Sequence, residues 1–399
     1  MSGAAIDCRI PGGSGDSPAA SAAETQIHSD AARACVWDRV VRVFHWSLVV
    51  SVAGALVTGF LAPRWWLDVH IALGTGIAAL VIVRVVWGFT GSTYARFAGF
   101  VVSPITALRH VVALVAGRAR HYIGHNPIGT MMIVALLMTL SILVVTGTIA
   151  LGGALKQGPL AFVSTFAAGT EAIEWHAAAA WLLLALIGGH VLGIATESVR
   201  TRENLVAAMV HGDKQFPAGA VTAPTSRARP VLAATIVGVA AATIASAVVA
   251  LSAMTPLGAP TFPIDARYVK ECAACHSAHH PSVASAATWA RLIGGLAEHF
   301  GDDASLDADL VAHLSRYLIA NSADASDTRA ANLMRTPAAG SLRITDTSGW
   351  KSIHDAVEPA LFKTKAVGGK LNCAACHTDS TTGRFAPWSI ALPTERKTP

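Results

Sequence analysis

Charge is scarce in this chain. Aspartate, glutamate, lysine and arginine make up 14% of its 399 residues, against about a quarter in an average soluble domain. So few charged side chains cannot cover a water-facing surface of this length, and a wholly soluble fold is excluded. Cysteine is scarce as well. Of six cysteines, four lie in two short motifs, and Cys8 and Cys35 stand alone without an assigned role, so there is no disulfide framework. The first 35 residues have no basic stretch leading into an apolar one, so no cleavable signal peptide is expected. No internal repeat exists beyond the two cysteine motifs. The net charge of +5 comes from basic residues scattered over loops and helix ends. That distribution suits a membrane surface and argues against nucleic acid as a partner.

Hydrophobic residues, by contrast, make up 53% of the chain, and mean hydropathy is positive. Five apolar stretches reach the roughly 20 residues a bilayer crossing needs. They run from about Val40 to Leu61, Leu67 to Phe89, Ile128 to Ala150, Glu171 to Thr196, and Pro230 to Met254. Asn126-Pro127 supplies a helix cap and a first-turn proline for the third. Arginine and lysine set the orientation. Arg33, Arg39 and Arg42 precede the first stretch. Arg96, Arg109, Arg118 and Arg120 lie between the second and third. Arg200, Arg202, Lys214, Arg227 and Arg229 lie between the fourth and fifth. The other two connections carry only Arg64 and Lys156. The N-terminus is therefore expected inside, and the C-terminus outside after five crossings. Residues 1–35, rich in Gly, Ala and Ser, read as a disordered cytoplasmic tail, and the first spanning helix must then direct insertion. Residues 36–215 read as a four-helix transmembrane domain, 216–229 as a cytoplasmic linker, 230–255 as a fifth spanning helix, and 256–399 as an outer domain. The outer domain is polar, with helices expected over Thr288–Phe300 and Leu306–Ile319.

Cys272-Ala-Ala-Cys275-His276 and Cys373-Ala-Ala-Cys376-His377 both match CxxCH, the attachment motif of c-type haem. Two thiols form thioethers to the haem vinyl groups, and the adjoining histidine ligates the iron from one face. A zinc ribbon or a redox dithiol would also use CxxC pairs, but neither needs a histidine directly after each pair. Each iron needs a sixth ligand. His279 and His280 follow the first motif too closely to reach the far face. His299 and His354 are distant enough to fold over and are the expected distal ligands, with His313 in reserve. The domain has one methionine, Met334, so at most one haem can be His/Met. Bis-histidine ligation is expected, and with it a lower potential.

Histidine is expensive inside a bilayer unless it has a task. Four fall within predicted spans: His45, His70, His176 and His190. His176 and His190 are 14 residues apart, which at 1.5 Å per residue is about 21 Å along one helix face. Matching by depth pairs His45 with His190 on the inner side and His70 with His176 on the outer side. Each pair can hold a non-covalent haem between two helices. Gly54, Gly74 and Gly76 would allow flat groups or helices to approach, though helix packing alone also favours them. Arg42 and Arg84, near the inner helix ends, are candidate partners for haem propionates. Snorkelling to lipid phosphate is the alternative for both. His110, His121, His125 and His211 read as solvated loop residues, with His125 a candidate for a quinone site.

The segment 36–215 resembles the bacterial cytochrome b-561 and nickel-hydrogenase b-type cytochrome family. The resemblance is carried by Val36-Trp37-Asp38 with Arg42 and His45-Trp46, His70 with Gly74, Arg84 with Trp87-Gly88-Phe89, His125-Asn126-Pro127, Thr146-Gly147, Glu174 with His176, and His190-Val191. It implies two haems b in four helices, relaying electrons between quinone and a soluble partner, with the four depth-matched histidines at the family's ligand positions. Residues 268–393 resemble the dihaem cytochrome c family. The carriers are Cys272 to His276, Trp289 and the run Glu298-His299-Phe300-Gly301, Gly349-Trp350 before His354, and Asn372-Cys373 to His377. This implies a periplasmic electron carrier with histidine-ligated haems. The run Ala278-His279-His280-Pro281 is richer in histidine than the family pattern.

The expected architecture is all-α. A transmembrane four-helix haem-binding bundle and a fifth, tethering transmembrane helix are followed by a small loop-rich α-helical dihaem cytochrome c domain. Two non-covalent haems b and two covalent haems c would form a relay in a bacterial inner membrane. It would run between the quinone pool or a membrane dehydrogenase and a soluble periplasmic cytochrome or other redox protein, with membrane lipid around it and a homodimer admitted. Fully ligated irons favour electron transfer over a self-contained oxidoreductase. The alternatives are a quinol- or superoxide-oxidising enzyme, or an anchor subunit of a hydrogenase or dehydrogenase complex.

Overall fold

The computed structural model describes residues 32–63, 66–99, 103–119, 122, 124–216 and 226–393. Most of the expected tail, with Cys8, therefore lies outside the described residues, as do Arg64, Arg120, His121 and most of the 216–229 linker.

Helices dominate. Five are long and apolar enough to cross a membrane: α1 (Arg39–Phe60), α2 (Leu67–Thr90), α4 (Pro127–Ala154), α5 (Phe166–Thr201) and α7 (Pro230–Ser252). The shorter α3 (Pro104–Val115) follows α2, and α6 (Leu205–His211) follows α5. Start and stop signals behave as the sequence indicates. Asp38 caps α1 by accepting from the Val41 amide at 2.8 Å, and Asn126 Oδ1 accepts from the Gly129 amide at 2.7 Å at the head of α4. The fourth span is longer than its apolar run, because its polar flanks continue the helix to 36 residues, about 54 Å at the α-helical rise. The last residues read as tail are ordered instead. β1 (Ala32–Cys35) pairs antiparallel with β2 (Asp213–Phe216), in register from Ala32 with Phe216 to Cys35 with Asp213.

The described residues fall into two compact units, one within 1–147 and 175–246, the other within 148–174 and 247–399. In the first unit, Val52 of α1, Ile77 and Val81 of α2, Leu140 of α4 and Leu183 of α5 share one buried cluster. A second cluster joins Val36, Trp37 and Val41 to Trp87, Ala208 and Ala233. Asp38 anchors it, accepting from Trp87 Nε1 at 2.9 Å and from Ser92 Oγ at 2.5 Å. Large apolar side chains face outward along the spans, such as Val50, Val145, Trp181 and Val249. Water would penalise that surface and hydrocarbon does not, so the chain is a multi-pass membrane protein.

The second unit contains the ends of α4 and α5, their connection, and a set of short helices: α8 (Ala266–Cys272), α9 (Ala286–Gly294), α10 (Ala308–Ala320), α11 (Arg329–Met334) and α12 (Ser348–His354). Four of them start on a side-chain cap, from Asp265, Ser285, Thr328 and Thr347. Such helices are too short to persist alone. Burial of Tyr268, Trp289, Ile293, Leu314 and Leu318 in one cluster holds several of them. The helix expected over 288–300 is a shorter α9 that stops at Gly294-Gly295 and gives way to a 3-10 turn, Leu296–Glu298. Two consecutive glycines favour termination there. The helix expected over 306–319 is found as α10.

Candidate functional site

Four histidines of the first unit lie in spanning helices: His45 on α1, His70 on α2, and His176 and His190 on α5. His70 and His176 are brought together with ring centroids 6.1 Å apart and ring planes at 72°. Each has its Nδ1 engaged. Thr58 Oγ1 lies 3.0 Å from His70 Nδ1. Thr146 Oγ1 lies 3.2 Å from His176 Nδ1, and the Leu143 carbonyl oxygen 3.0 Å from it. An imidazole held through Nδ1 keeps Nε2 for a metal, the usual outer-shell arrangement. Space is kept for both rings. A Cβ at Gly59 would lie 3.3 Å from His70 Cε1, and one at Gly147 3.2 Å from His176 Cε1. Of the glycines singled out in the sequence, Gly54 abuts Leu73, whereas Gly74 and Gly76 border open space.

His45 lies within electrostatic reach of His190. Its ring meets Trp46 edge-on at 5.3 Å, and its Nδ1 is buried without a hydrogen-bond partner among the described residues. Both candidate propionate partners make contacts within the protein. Arg42 Nη1 donates to the Val210 carbonyl at 2.7 Å. Arg84 is buried, donates to the Ala95 carbonyl at 3.2 Å and lies 4.9 Å over the Phe97 ring.

Of the histidines read as solvated, His110 is buried and His125 is half-buried. His110 packs on Tyr122 with centroids 5.4 Å apart. His125 packs on Trp37 at 4.6 Å. Burial, reinforced by the positive charges of Arg84 and Lys214 and by His190, pushes its pKa down to about 3, so it is neutral at physiological pH. The polarity of the surrounding sequence hid this, because the partners that cover the two rings, Tyr122 and Trp37, are not marked by the local pattern. His211 is exposed as expected.

In the second unit Cys272 ends α8, and Cys373 opens a 3-10 turn, Cys373–Ala375. Burial pushes the Cys272 thiol up to about 11 and also raises those of Cys373 and Cys376. Thiols so raised make poor redox nucleophiles. Among the described residues no three His, Cys, Asp or Glu side chains converge as ligands for a bare ion. The raised thiols weigh against the dithiol alternative. Each motif histidine meets one distant histidine. His276 and His299 lie with centroids 6.3 Å apart and planes at 24°. His377 and His354 lie 6.1 Å apart at 74°. His276 Nδ1 contacts the Ser277 carbonyl at 2.9 Å. His354 Nδ1 contacts the Trp350 carbonyl at 2.9 Å, and its ring stacks on Trp350 at 4.3 Å. His279 stacks against His276 at 5.1 Å. The reserve candidates are engaged elsewhere. His313 Nε2 is 2.8 Å from Asp265 Oδ2, and Met334 Sδ accepts from Thr347 Oγ1 at 3.3 Å.

The spacing of these pairs tests whether haem iron fits. Two metal–nitrogen bonds of about 2 Å, together with the half-width of each ring, separate the imidazole centroids of a bis-histidine iron by about 6 Å. The His70/His176, His276/His299 and His354/His377 pairs fall at 6.1, 6.3 and 6.1 Å. The residues therefore fit the group. Thr58 and Gly59 escaped the sequence reading, because a threonine and a glycine in an apolar helix look like packing residues.

Comparison with known proteins divides the chain in the same way. Residues 36–212 match the family described as prokaryotic cytochrome b561, and residues 268–385 match that described as dihaem cytochrome c. The chain is 23% identical over 213 residues to a probable Ni/Fe-hydrogenase B-type cytochrome subunit of Bradyrhizobium diazoefficiens, covering 45% of this chain and 85% of the relative. It is 24% identical over 222 residues to the probable Ni/Fe-hydrogenase 1 B-type cytochrome subunit of Escherichia coli strain K12, covering 47% and 93%. A solved diheme cytochrome c from Rhodobacter sphaeroides is 38% identical, with 31% of this chain and 97% of that chain covered and a TM-score of 0.27.

Proposed function

We propose that the chain, which matches the prokaryotic cytochrome b561 family over residues 36–212 and the dihaem cytochrome c family over 268–385, is a four-haem relay carrying electrons across a bacterial inner membrane. The families imply haem b in the membrane part and haem c in the C-terminal part, and the coarser activity, membrane electron transfer, follows from both. In the full reading, His70 with His176 and His45 with His190 hold two haems b. Cys272, Cys275, Cys373 and Cys376 attach two haems c, ligated by His276 with His299 and by His377 with His354. When bound, haem iron supplies one-electron chemistry, its potential tuned by ligands and burial.

The chain's own residues hold and insulate these groups. Thr58, Thr146 and the Leu143 carbonyl fix two rings through Nδ1, which sets the tautomer. Trp350, stacked on His354, shields that ring from water. The observation carrying the reading is the common separation of three histidine pairs, 6.1 to 6.3 Å, with each Cys-x-x-Cys-His histidine facing one partner. Arginine in the expected inner connections supports a cytoplasmic N-terminus and a periplasmic dihaem domain. On this reading electrons exchange with quinone or a membrane dehydrogenase on one side and with a soluble periplasmic redox protein on the other. The hydrogenase cytochrome relatives favour a membrane redox complex as partner.

A pyridine haemochrome spectrum combined with acid–acetone extraction tests this. The expected result is two extractable haems b and two covalent haems c per chain. Haem c without haem b would overturn the relay.

A further inference from the structure

Within the second unit, a cation from the connection between α4 and α5 meets a carboxylate far along the chain. Lys156 is 3% exposed, and its Nζ lies 2.8 Å from Asp327 Oδ2 and 2.9 Å from the Ser164 carbonyl oxygen. An ammonium is buried this deeply only when paired and hydrogen-bonded. Lys156 also has φ 55°, a left-handed conformation that lysine seldom adopts and that surrounding contacts must hold.

Asp327 is saturated on both oxygens. Oδ2 also accepts from the Phe166 amide at 2.7 Å, and Oδ1 accepts from Asn332 Nδ2 at 3.1 Å. Phe166 is the first residue of α5, so a carboxylate from the dihaem part satisfies an open amide at the head of a spanning helix, where negative charge is favoured. Two backbone contacts and one from a side chain run alongside. Leu257 N–H donates to the Ala161 carbonyl at 2.8 Å, Asp327 N–H to the Gly258 carbonyl at 2.8 Å, and Arg384 Nη2 to the Lys156 carbonyl at 3.1 Å. Gly258 is required at this approach. Its φ is +68°, and a Cβ there would lie 2.3 Å from Asp327 Cβ.

We infer that Lys156 and Asp327 are positioning residues, whose ion pair fastens the dihaem part to the α4–α5 connection so that its haem sites occupy a fixed seat instead of swinging on α7 and its linker. The linker that would give a free head its reach, 256–265, is itself stitched down through Leu257 and Gly258. The purpose of the clamp rests on the relay proposed above. Its existence does not, and the test separates the two.

The full haem-loaded protein in detergent is treated with chymotrypsin, and cleavage at Leu257, which is 40% exposed, is followed by mass. The wild type is expected to resist. Lys156→Ala and Asp327→Ala are expected to be cut at least tenfold faster with haem content unchanged, and the exchanged pair Lys156→Asp with Asp327→Lys to recover at least half the protection. In the same proteins, the rate at which one electron leaves ferrous haem b to reduce ferric haem c is expected to be independent of viscosity in the wild type and viscosity-dependent in the single variants. Wild-type cleavage rates in both single variants would overturn the clamp, as would a viscosity-dependent wild type. Should Asp327→Ala fail to incorporate haem c, Lys156→Ala and the exchanged pair decide by the same readout. Absence of haem b would sink the relay and leave the cleavage assay to decide the clamp alone.

Discussion

His70 and His176 come from different spanning helices, face each other at 6.1 Å between ring centroids, and are each held at Nδ1 by a threonine on a third or fourth helix. All four helices thus contribute to one site: Thr58 from α1, His70 from α2, Thr146 from α4 and His176 from α5. A pair fixed in this way is oriented before any metal arrives, which lowers the cost of binding.

Removing that orientation weakens the site without abolishing it. Thr58→Val and Thr146→Val are each expected to reduce retention of the outer haem b by roughly tenfold or more, the usual effect of losing an outer-shell partner. His70→Ala is expected to lose that haem outright. Haem titration of the purified apoprotein checks both. Equal affinity in Thr58→Val and wild type would remove the threonine from the site.

The inner pair makes a separate prediction. His45→Ala or His190→Ala is expected to halve extractable haem b, leaving the outer site spectrally intact. Loss of both haems b from either variant would mean the two sites are not independent.

Ligand identity in the dihaem part is testable by potential. His299→Met is expected to raise the midpoint of one haem c, since His/Met ligation favours the reduced iron. His313→Ala is expected to leave both midpoints unchanged, because His313 Nε2 lies at 2.8 Å from Asp265. Redox titration monitored by absorbance distinguishes the two. A midpoint shift in His313→Ala would reopen the assignment.

The clamp carries a pH signature. Burial alone would raise the Asp327 carboxyl, but hydrogen bonds from Lys156, the Phe166 amide and Asn332, with the Lys156 charge, bring it below its ordinary 3.8. A depressed carboxylate contributes stability that is fully present above its ordinary value and is lost as pH falls through the depressed one. Protection of the Leu257 amide, bonded to the Ala161 carbonyl, against hydrogen exchange corrected for its intrinsic rate is therefore expected to be constant from pH 7 to 5 and to fall only below about 3.8. Loss of protection near pH 6 would assign it to a histidine instead.

The legible parts of the fold share one property: they are written locally. Spans follow from apolar runs, and the four bilayer histidines follow from their depth along those runs. His299 and His354 are legible as distal candidates because the outer domain has few donors, but which Cys-x-x-Cys-His histidine each one faces is not. Contacts between distant segments were not legible. Lys156 reads as a loop lysine until Asp327, 171 residues later, is beside it. His125 reads as solvated until Trp37 covers it. Thr58 bonds the Gly54 carbonyl at 2.8 Å, as threonines in apolar helices commonly do. Nothing in the sequence marks that its hydroxyl also touches His70.

The separation of Lys156 from Asp327 also has a consequence in time. During synthesis at about 5 to 20 residues per second, roughly 10 to 30 seconds pass between the two positions. From the completion of α5 at Thr201 onward, the lysine in the α4–α5 connection has no carboxylate to meet and Phe166 lacks the acceptor that Asp327 supplies to its amide. The α4–α5 connection therefore reaches its final form only after the last membrane helix and the first Cys-x-x-Cys-His motif have been made. A chain truncated before residue 327 would carry an unfinished connection, with Lys156 lacking its carboxylate partner.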